Sequence, residues 1–331
     1  MTVSTTAPPV FLHPLADRNG IPAALLFDAA RLPAGVAAVT NVPLPLLEEL
    51  ANGSMTCYYR AGASQELNQA LGQAGWKPLL PEKMARADAA LPKDLDPAVQ
   101  WIEGDWFLAP PAKAVGAQAA SRALALQLVQ LVTADADTHE IEALLRQDPT
   151  LSYHLLKLVN SLGMGTGRRV TSFSQAILIL GRSQLRRWLN LMLFSSREGD
   201  PRSAMLLSRV AVRARSMELL SKALGEDKHH QEQAFMVGMF SLLGVLFGMP
   251  LEEVLKPLTI SESVQQALLS HDGELGQLLC VVESAEREDF DALTGCLAAL
   301  QIEVAAFNRI TVDATVWMQS VAAGKAGSPH A

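Results

Sequence analysis

Leu144 to Leu193 reads LLRQDPTLSYHLLKLVNSLGMGTGRRVTSFSQAILILGRSQLRRWLNLML, and this stretch decides the fold. Asp148 followed by Pro149 predicts a helix start. The carboxylate can take an unpaired N–H of the first turn, and proline there gives up only an N–H that has no partner. Gly163 suits a left-handed cap at the end of that helix. Ser172 with Gln175 supplies a second start of the reciprocal capping kind, closing at Gly181. Between these signals the apolar residues recur at helical spacing. Working outward, Ser121 to Val132 (SRALALQLVQLV) repeats the helical period, Asp137 with Glu140 supplies another acidic cap, and Asp200 with Pro201 repeats the Asp-Pro device. From about residue 112 onward the chain is expected to be helical almost throughout, with a frayed tail over 321–331.

Ahead of residue 112 the pattern changes. Short apolar runs (PVFLHPL, AAVTNVPL, MTCYYRA, WKPLLP) are separated by Gly, Pro and Asn, which predicts strands and short helices. At 331 residues and 49% hydrophobic, the chain has enough apolar material for two domains with cores of their own. The net charge of −7 argues against a general affinity for nucleic acid or an anionic membrane, both of which need a clustered cationic face. No run reaches the ~18 apolar residues of a membrane span, and the opening residues lack a secretory pattern, so a cytoplasmic protein is expected. Cys57, Cys280 and Cys296 are odd in number and lack metal-ligand spacing, so they read as ordinary thiols.

The helical region resembles an HDOD domain, a relative of HD-type phosphohydrolases that usually lacks their metal ligands. RQDPTLSYHLLKLVNS carries the R-x-D-P element leading into L-x-x-L-V-N-S, and SFSQAILILG carries S-x-x-x-A-I-x-x-L-G. Further on, Gly238 to Leu246 reads GMFSLLGVL where a working HD enzyme has GLLHDIGKL, so the metal-binding His and Asp fall on Ser241 and Leu242. Serine is a poor ligand for a divalent ion and leucine is none, so the resemblance implies no catalytic metal, no cofactor and no hydrolysis at this position.

The histidines do not replace the lost pair. His271 and Asp272 precede Gly273 in SHDGEL, which reads as a turn between helices. His229 and His230 sit in a charged helix start and point in different directions, while His154 lies among apolar residues where a packed histidine is the ordinary outcome.

The first 111 residues resemble, more faintly, the front of an EAL domain, the barrel that hydrolyses cyclic di-GMP. HPLADRNGIPAALLFD can be laid on its Q-P-I and G-Y-E-L-L-F-R segments, which puts Ala24 at the metal-binding glutamate. Tyr58 falls where another glutamate is expected, and Pro81 and Glu82 fall on the paired aspartates. EGDWFLAPP is similar to the barrel's closing strand, yet it follows Glu82 by only about twenty residues. Barrels of this kind run to ~200 residues or more, so the region is expected to be an incomplete one.

One local charge cluster stands out. Arg168 and Arg169 lie in GMGTGRRV, and Arg182, Arg186 and Arg187 lie in GRSQLRRWL. Arg182 and Arg186 share a helix face, whereas Arg187 is turned away by roughly 100°. A solvated helix flank and a surface for an acidic protein are both consistent with this pattern. The Gly-rich loop follows a helix, unlike a phosphate-cradling loop, so nucleotide binding is not expected but stays open. The expectation is a mainly α protein. It has a small α/β lobe over 1–111, an incomplete EAL-like barrel, followed by an all-helical HDOD domain over 112–320. The expected function is that of a noncatalytic bacterial signal-transduction scaffold whose partners are other signalling proteins. The alternatives are a residual metal-dependent phosphodiesterase or phosphohydrolase and a non-hydrolysing cyclic di-GMP sensor.

Overall fold

Asp17 makes the first turn of the sheet. Its carboxylate accepts the N–H groups of Asn19 (2.8 Å) and Ile21 (2.9 Å), and the turn places Gly20 at φ +79°. A side chain at Gly20 would also collide with the Pro201 carbonyl and the Trp106 ring, each 2.9 Å from a Cβ built there, so glycine is needed both for the backbone angle and for room. This turn joins strand β1 (Leu12–Ala16) to β2 (Pro22–Phe27). The structure is a computed structural model that describes residues 7–28, 42–60, 64–111, 117–145, 187, 189–191, 194 and 200–326.

Helix α1 (Leu44–Ala51), β3 (Thr56–Arg60), α2 (Gln65–Gln73), β4 (Lys77–Leu79), β5 (Met84–Arg86) and β6 (Trp101–Glu103) complete the N-terminal lobe. The six strands form one mixed sheet in the order β4-β3-β2-β1-β6-β5. Strand β1 is antiparallel to both neighbours, and the β2–β3, β3–β4 and β5–β6 pairs are parallel. Among the described residues β4 and β5 stand at the two edges of this order. Alternation along the strands splits the buried residues between two faces. Leu25, Phe27, Cys57 and Tyr59 join Leu47 and Leu50 of α1 and Leu67 and Leu71 of α2 in the main core. Leu15, Ala24, Leu26 and Leu79 form a separate small cluster with Tyr58, Met84 and Trp101 packed against it.

Ten helices of the remaining described chain follow: α3 (Ala117–Thr133), α4 (Thr138–Leu145), α5 (Ser203–Ala223), α6 (Lys228–Phe240), α7 (Leu243–Phe247), α8 (Leu251–Leu255), α9 (Glu262–Ser270), α10 (Gly273–Glu286), α11 (Phe290–Ala299) and α12 (Val304–Ala326). The helical expectation holds here. Helix α5 is the central element, packed on α6, α10, α12 and strands β1 and β2. Its approach to α6 depends on Gly238, where an added Cβ would lie 2.6 Å from the Ala214 Cα.

Two expectations about element ends change, and the others are not described. Asp200 does not cap α5 directly. It accepts the Arg202 N–H and pairs with that guanidinium, so the helix begins at Ser203. The tail expected to fray from 321 is helical as far as Ala326, because α12 continues through it. The starts at Asp148 and Ser172 and the ends at Gly163 and Gly181 lie outside the described residues.

No break in the core coincides with residue 112. The main cluster runs from Val10 to Met318 and takes in both the sheet and the helices. Buried Asn308 of α12 accepts the Val10 N–H at 2.8 Å and donates to the Pro8 carbonyl at 2.7 Å. Arg309 grips Glu49 of α1 through two contacts of 2.7 Å. The Gln319 side-chain oxygen accepts the Ser54 N–H. Among the described residues no single helix is long and apolar enough to cross a membrane.

Candidate functional site

Ser241 follows the last turn of α6, and its hydroxyl is fully engaged by the chain. It donates to the Gly238 carbonyl at 2.7 Å and accepts from Nη1 of Arg213 at 2.8 Å. Leu242 is buried and apolar. A divalent ion would find no free donor at either position, so the two residues do not fit the metal of an HD enzyme. Among the described residues, no group of three or more His, Cys, Asp or Glu side chains is arranged to hold a metal ion.

A buried ion-pair network occupies this place instead. Arg213 of α5 is 7% exposed and donates through Nε to Glu286 at 2.9 Å, with a second contact from Nη2 to the other carboxylate oxygen. Its Nη1 also reaches Glu283 at 3.4 Å. Arg209, one turn earlier on α5, pairs with Glu286 at 3.2 Å and with Asp105 of the sheet lobe at 3.4 Å. Burial alone pushes the Glu286 carboxyl up, but the charges of Arg213 and Arg209 outweigh it and hold the group below its ordinary value. Burial likewise works against the Arg213 charge, and Glu286 and Glu283 more than restore it.

The tempting His271–Asp272 pair is backbone geometry with one side-chain link. His271 ends α9 in the left-handed region at φ 58°, and Asp272 precedes the first residue of α10. The His271 ring faces Glu283 at 3.0 Å, which ties it to the rim of the same network. His230 sits in the first turn of α6, where Asp227 accepts its N–H. His229 lies beside it, and His154 lies outside the described residues.

In the sheet lobe, Ala24 is fully buried in the small apolar cluster and Tyr58 stacks against Trp101 with ring centres 5.5 Å apart. Pro81 and Glu82 sit exposed in a short 3-10 turn (Pro81–Lys83) after β4. Arg60 of β3 bridges Asp28 (2.8 Å) and Glu103 (2.5 Å), so the charges of this lobe pair with one another.

Of the arginine cluster, Arg168, Arg169, Arg182 and Arg186 lie outside the described residues. Arg187 is the one member of the cluster among the described residues. It pairs with Glu218 of α5 at 2.6 Å and lies over the Phe235 ring of α6 at 4.1 Å, so its guanidinium joins helices within the protein. The residues missed by sequence reasoning are Arg209, Arg213, Glu283 and Glu286. The signal available was their spacing: arginines four apart in RVAVR and glutamates three apart in ESAE each share one helix face.

The helical part of the chain thus holds an internal ion-pair network that ties Ser241 to Arg213, Glu283 and Glu286. Residues 121–272 match the family model of the HDOD domain. The chain is similar to the cyclic di-GMP phosphodiesterase CdgJ of Vibrio cholerae, with 30% identity over 60% of this chain and 46% of that protein. It is also similar to the uncharacterized protein YuxH of Bacillus subtilis, with 31% identity over 44% of this chain and 36% of that protein. The chain thus spans under half the length of the curated relatives it matches. A crystal structure of a putative phosphohydrolase from Shewanella amazonensis superposes with a TM-score of 0.43 at 14% identity, over 61% of this chain and 93% of the other.

Proposed function

We propose that this protein is a noncatalytic scaffold of cyclic di-GMP signalling that works in the cytoplasm by binding other signalling proteins. The observation that carries this reading is the hydrogen bond from Arg213 to Ser241: a permanently charged guanidinium and a saturated hydroxyl stand where an HD enzyme needs open metal ligands. The HDOD match and the similarity to a protein named as a cyclic di-GMP phosphodiesterase support the signalling context. The sheet lobe is a shortened, degenerate EAL-like unit in this reading. Ala24 buried among Leu15, Leu26 and Leu79, and Tyr58 stacked on Trp101, support it, since neither position offers a carboxylate to metal.

The test is a hydrolysis assay of the full chain with manganese or magnesium against cyclic di-GMP. No product is expected. Turnover that disappears in the His271→Ala or Asp272→Ala variant would overturn the reading and make that pair a catalytic site. Affinity purification from the native bacterium then identifies the partner.

A further inference from the structure

We infer that the cleft between β1, α5, α10 and α12 is a binding site for an uncharged, mainly apolar small molecule with one hydrogen-bond acceptor, which the Ser208 hydroxyl engages. The cleft measures about 690 Å³ with its mouth included, within the range of sites for small organic ligands. Its walls follow from the helical period. Ser208, Val212 and Ser216 are spaced by four along α5 and so form one stripe of that helix, and Phe307, Thr311 and Thr315 do the same on α12. Val282 and Ala285 of α10 and Leu25 of β2 add apolar wall, so the sheet and the helices both contribute.

Ser208 gives the reason to expect a ligand. It is only 2% exposed, yet its Oγ has no hydrogen-bond partner among the described residues. A hydroxyl on a helix can turn back to a carbonyl of the preceding turn, as Thr311 and Thr315 do on the facing wall at 3.0 and 2.7 Å. Ser208 does not. A buried hydroxyl without a partner destabilises the fold, and an acceptor brought to it through the cleft removes that cost. The charged groups of the lining select against ionic ligands. Arg209 is paired with Glu286 at 3.2 Å and with Asp105 at 3.4 Å, and His13 is paired with Glu288. An anion would meet Glu286 and a cation would meet Arg209, each already matched by an opposite charge. The site goes beyond the scaffold reading, and the two fail separately: hydrolysis by the wild-type protein would sink the scaffold, whereas the cleft is judged by binding.

The experiment is fluorescence titration of the full chain with prodan, an uncharged naphthalene ketone, followed by competition with 1-decanol and with decanoate. Wild type should bind prodan saturably with blue-shifted emission, and its melting temperature should rise in step with occupancy. Decanol should displace the probe, and decanoate should need at least about tenfold more. Ala285→Leu narrows the cleft and should abolish binding while still melting cooperatively; Val212→Phe serves the same purpose if that variant does not fold. Ser208→Ala should weaken prodan by about three- to tenfold and, without ligand, melt no lower than wild type. No saturable binding and no melting shift with either prodan or decanol would overturn the inference. A folded narrowed variant that binds as wild type does would overturn it too. So would unchanged affinity in Ser208→Ala, or decanoate competing as well as decanol.

Discussion

Asn308, near the start of the last long helix, holds the backbone of Val10 by accepting its N–H at 2.8 Å, with no solvent reaching the amide. The same side chain donates to the Pro8 carbonyl, so one buried amide fixes the strand entry from the far end of the sequence. Replacing Asn308 by Leu, close to it in size, leaves two buried backbone groups without partners, each costing about 1–3 kcal/mol. Denaturant melts should show the whole protein destabilised by about 2 kcal/mol or more in a single transition. A separate early transition of the sheet lobe would show that the shared core does not couple the two parts.

Glu286 makes stability depend on acid. Its carboxyl is held below the ordinary value of 4.5, so its contribution is complete above that value and is lost as pH falls through the lower folded value. Melting temperature should therefore drop on acidification below about pH 4.5. Glu286→Gln should start lower at neutral pH and show a shallower acid limb. Parallel acid limbs in the two proteins would assign the acid response to other carboxylates.

Arg187 and its neighbours should separate cleanly. Arg187→Ala leaves Glu218 with Arg215 as its remaining cation and strips a cation from the Phe235 ring, and a loss of about 1–3 kcal/mol in stability is expected. If Arg182 and Arg186 meet an acidic partner, Arg182→Glu with Arg186→Glu should instead leave melting within about ±0.5 kcal/mol and abolish that association. Both quantities are read from the same preparations, by melting and by binding titration. Unchanged affinity in the double variant would leave a solvated helix flank at 182 and 186.

Gly238 sets the spacing of α5 and α6. A valine there would push its branched side chain into the Ala214 backbone, and overpacking of this kind costs about 1–3 kcal/mol or more. Chemical denaturation should register that loss, and the Arg213–Ser241 bond should weaken with it because both depend on the same helix approach. Gly72, with no atom near an added Cβ, is the control: Gly72→Ala should be neutral or slightly stabilising.

The helices were legible because their signals are local. The period of SRALALQLVQLV gives α3, and the run HDGELG gives the α9–α10 junction. That no His-Asp pair stands at positions 241 and 242 was also legible, since residue type needs no geometry. What replaced it was not. Arg213, Ser241 and Glu286 are 28 and 73 positions apart along the chain, and only the crossing of α5 with α6 and α10 brings them together. The contacts of Arg187 were hidden for the same reason, since Glu218 and Phe235 lie on other helices far along the chain. The boundary near residue 112 marks a real change of local pattern, but pattern carries no information about which apolar faces meet. Val10 and Met318 prove to share one core.

The Arg213 network also bears on where the helical part can be cut. The family match stops at residue 272, one position before α10 begins. A fragment trimmed to that match would keep Arg213 and discard Glu283 and Glu286, turning a neutralised cation into an unpaired charge inside a helix bundle, where removing one partner of a buried pair costs about 3–5 kcal/mol. The evolutionary unit recognised by sequence is thus shorter than the mechanical unit. Excising the helical part with its charge network intact requires carrying α10 at least.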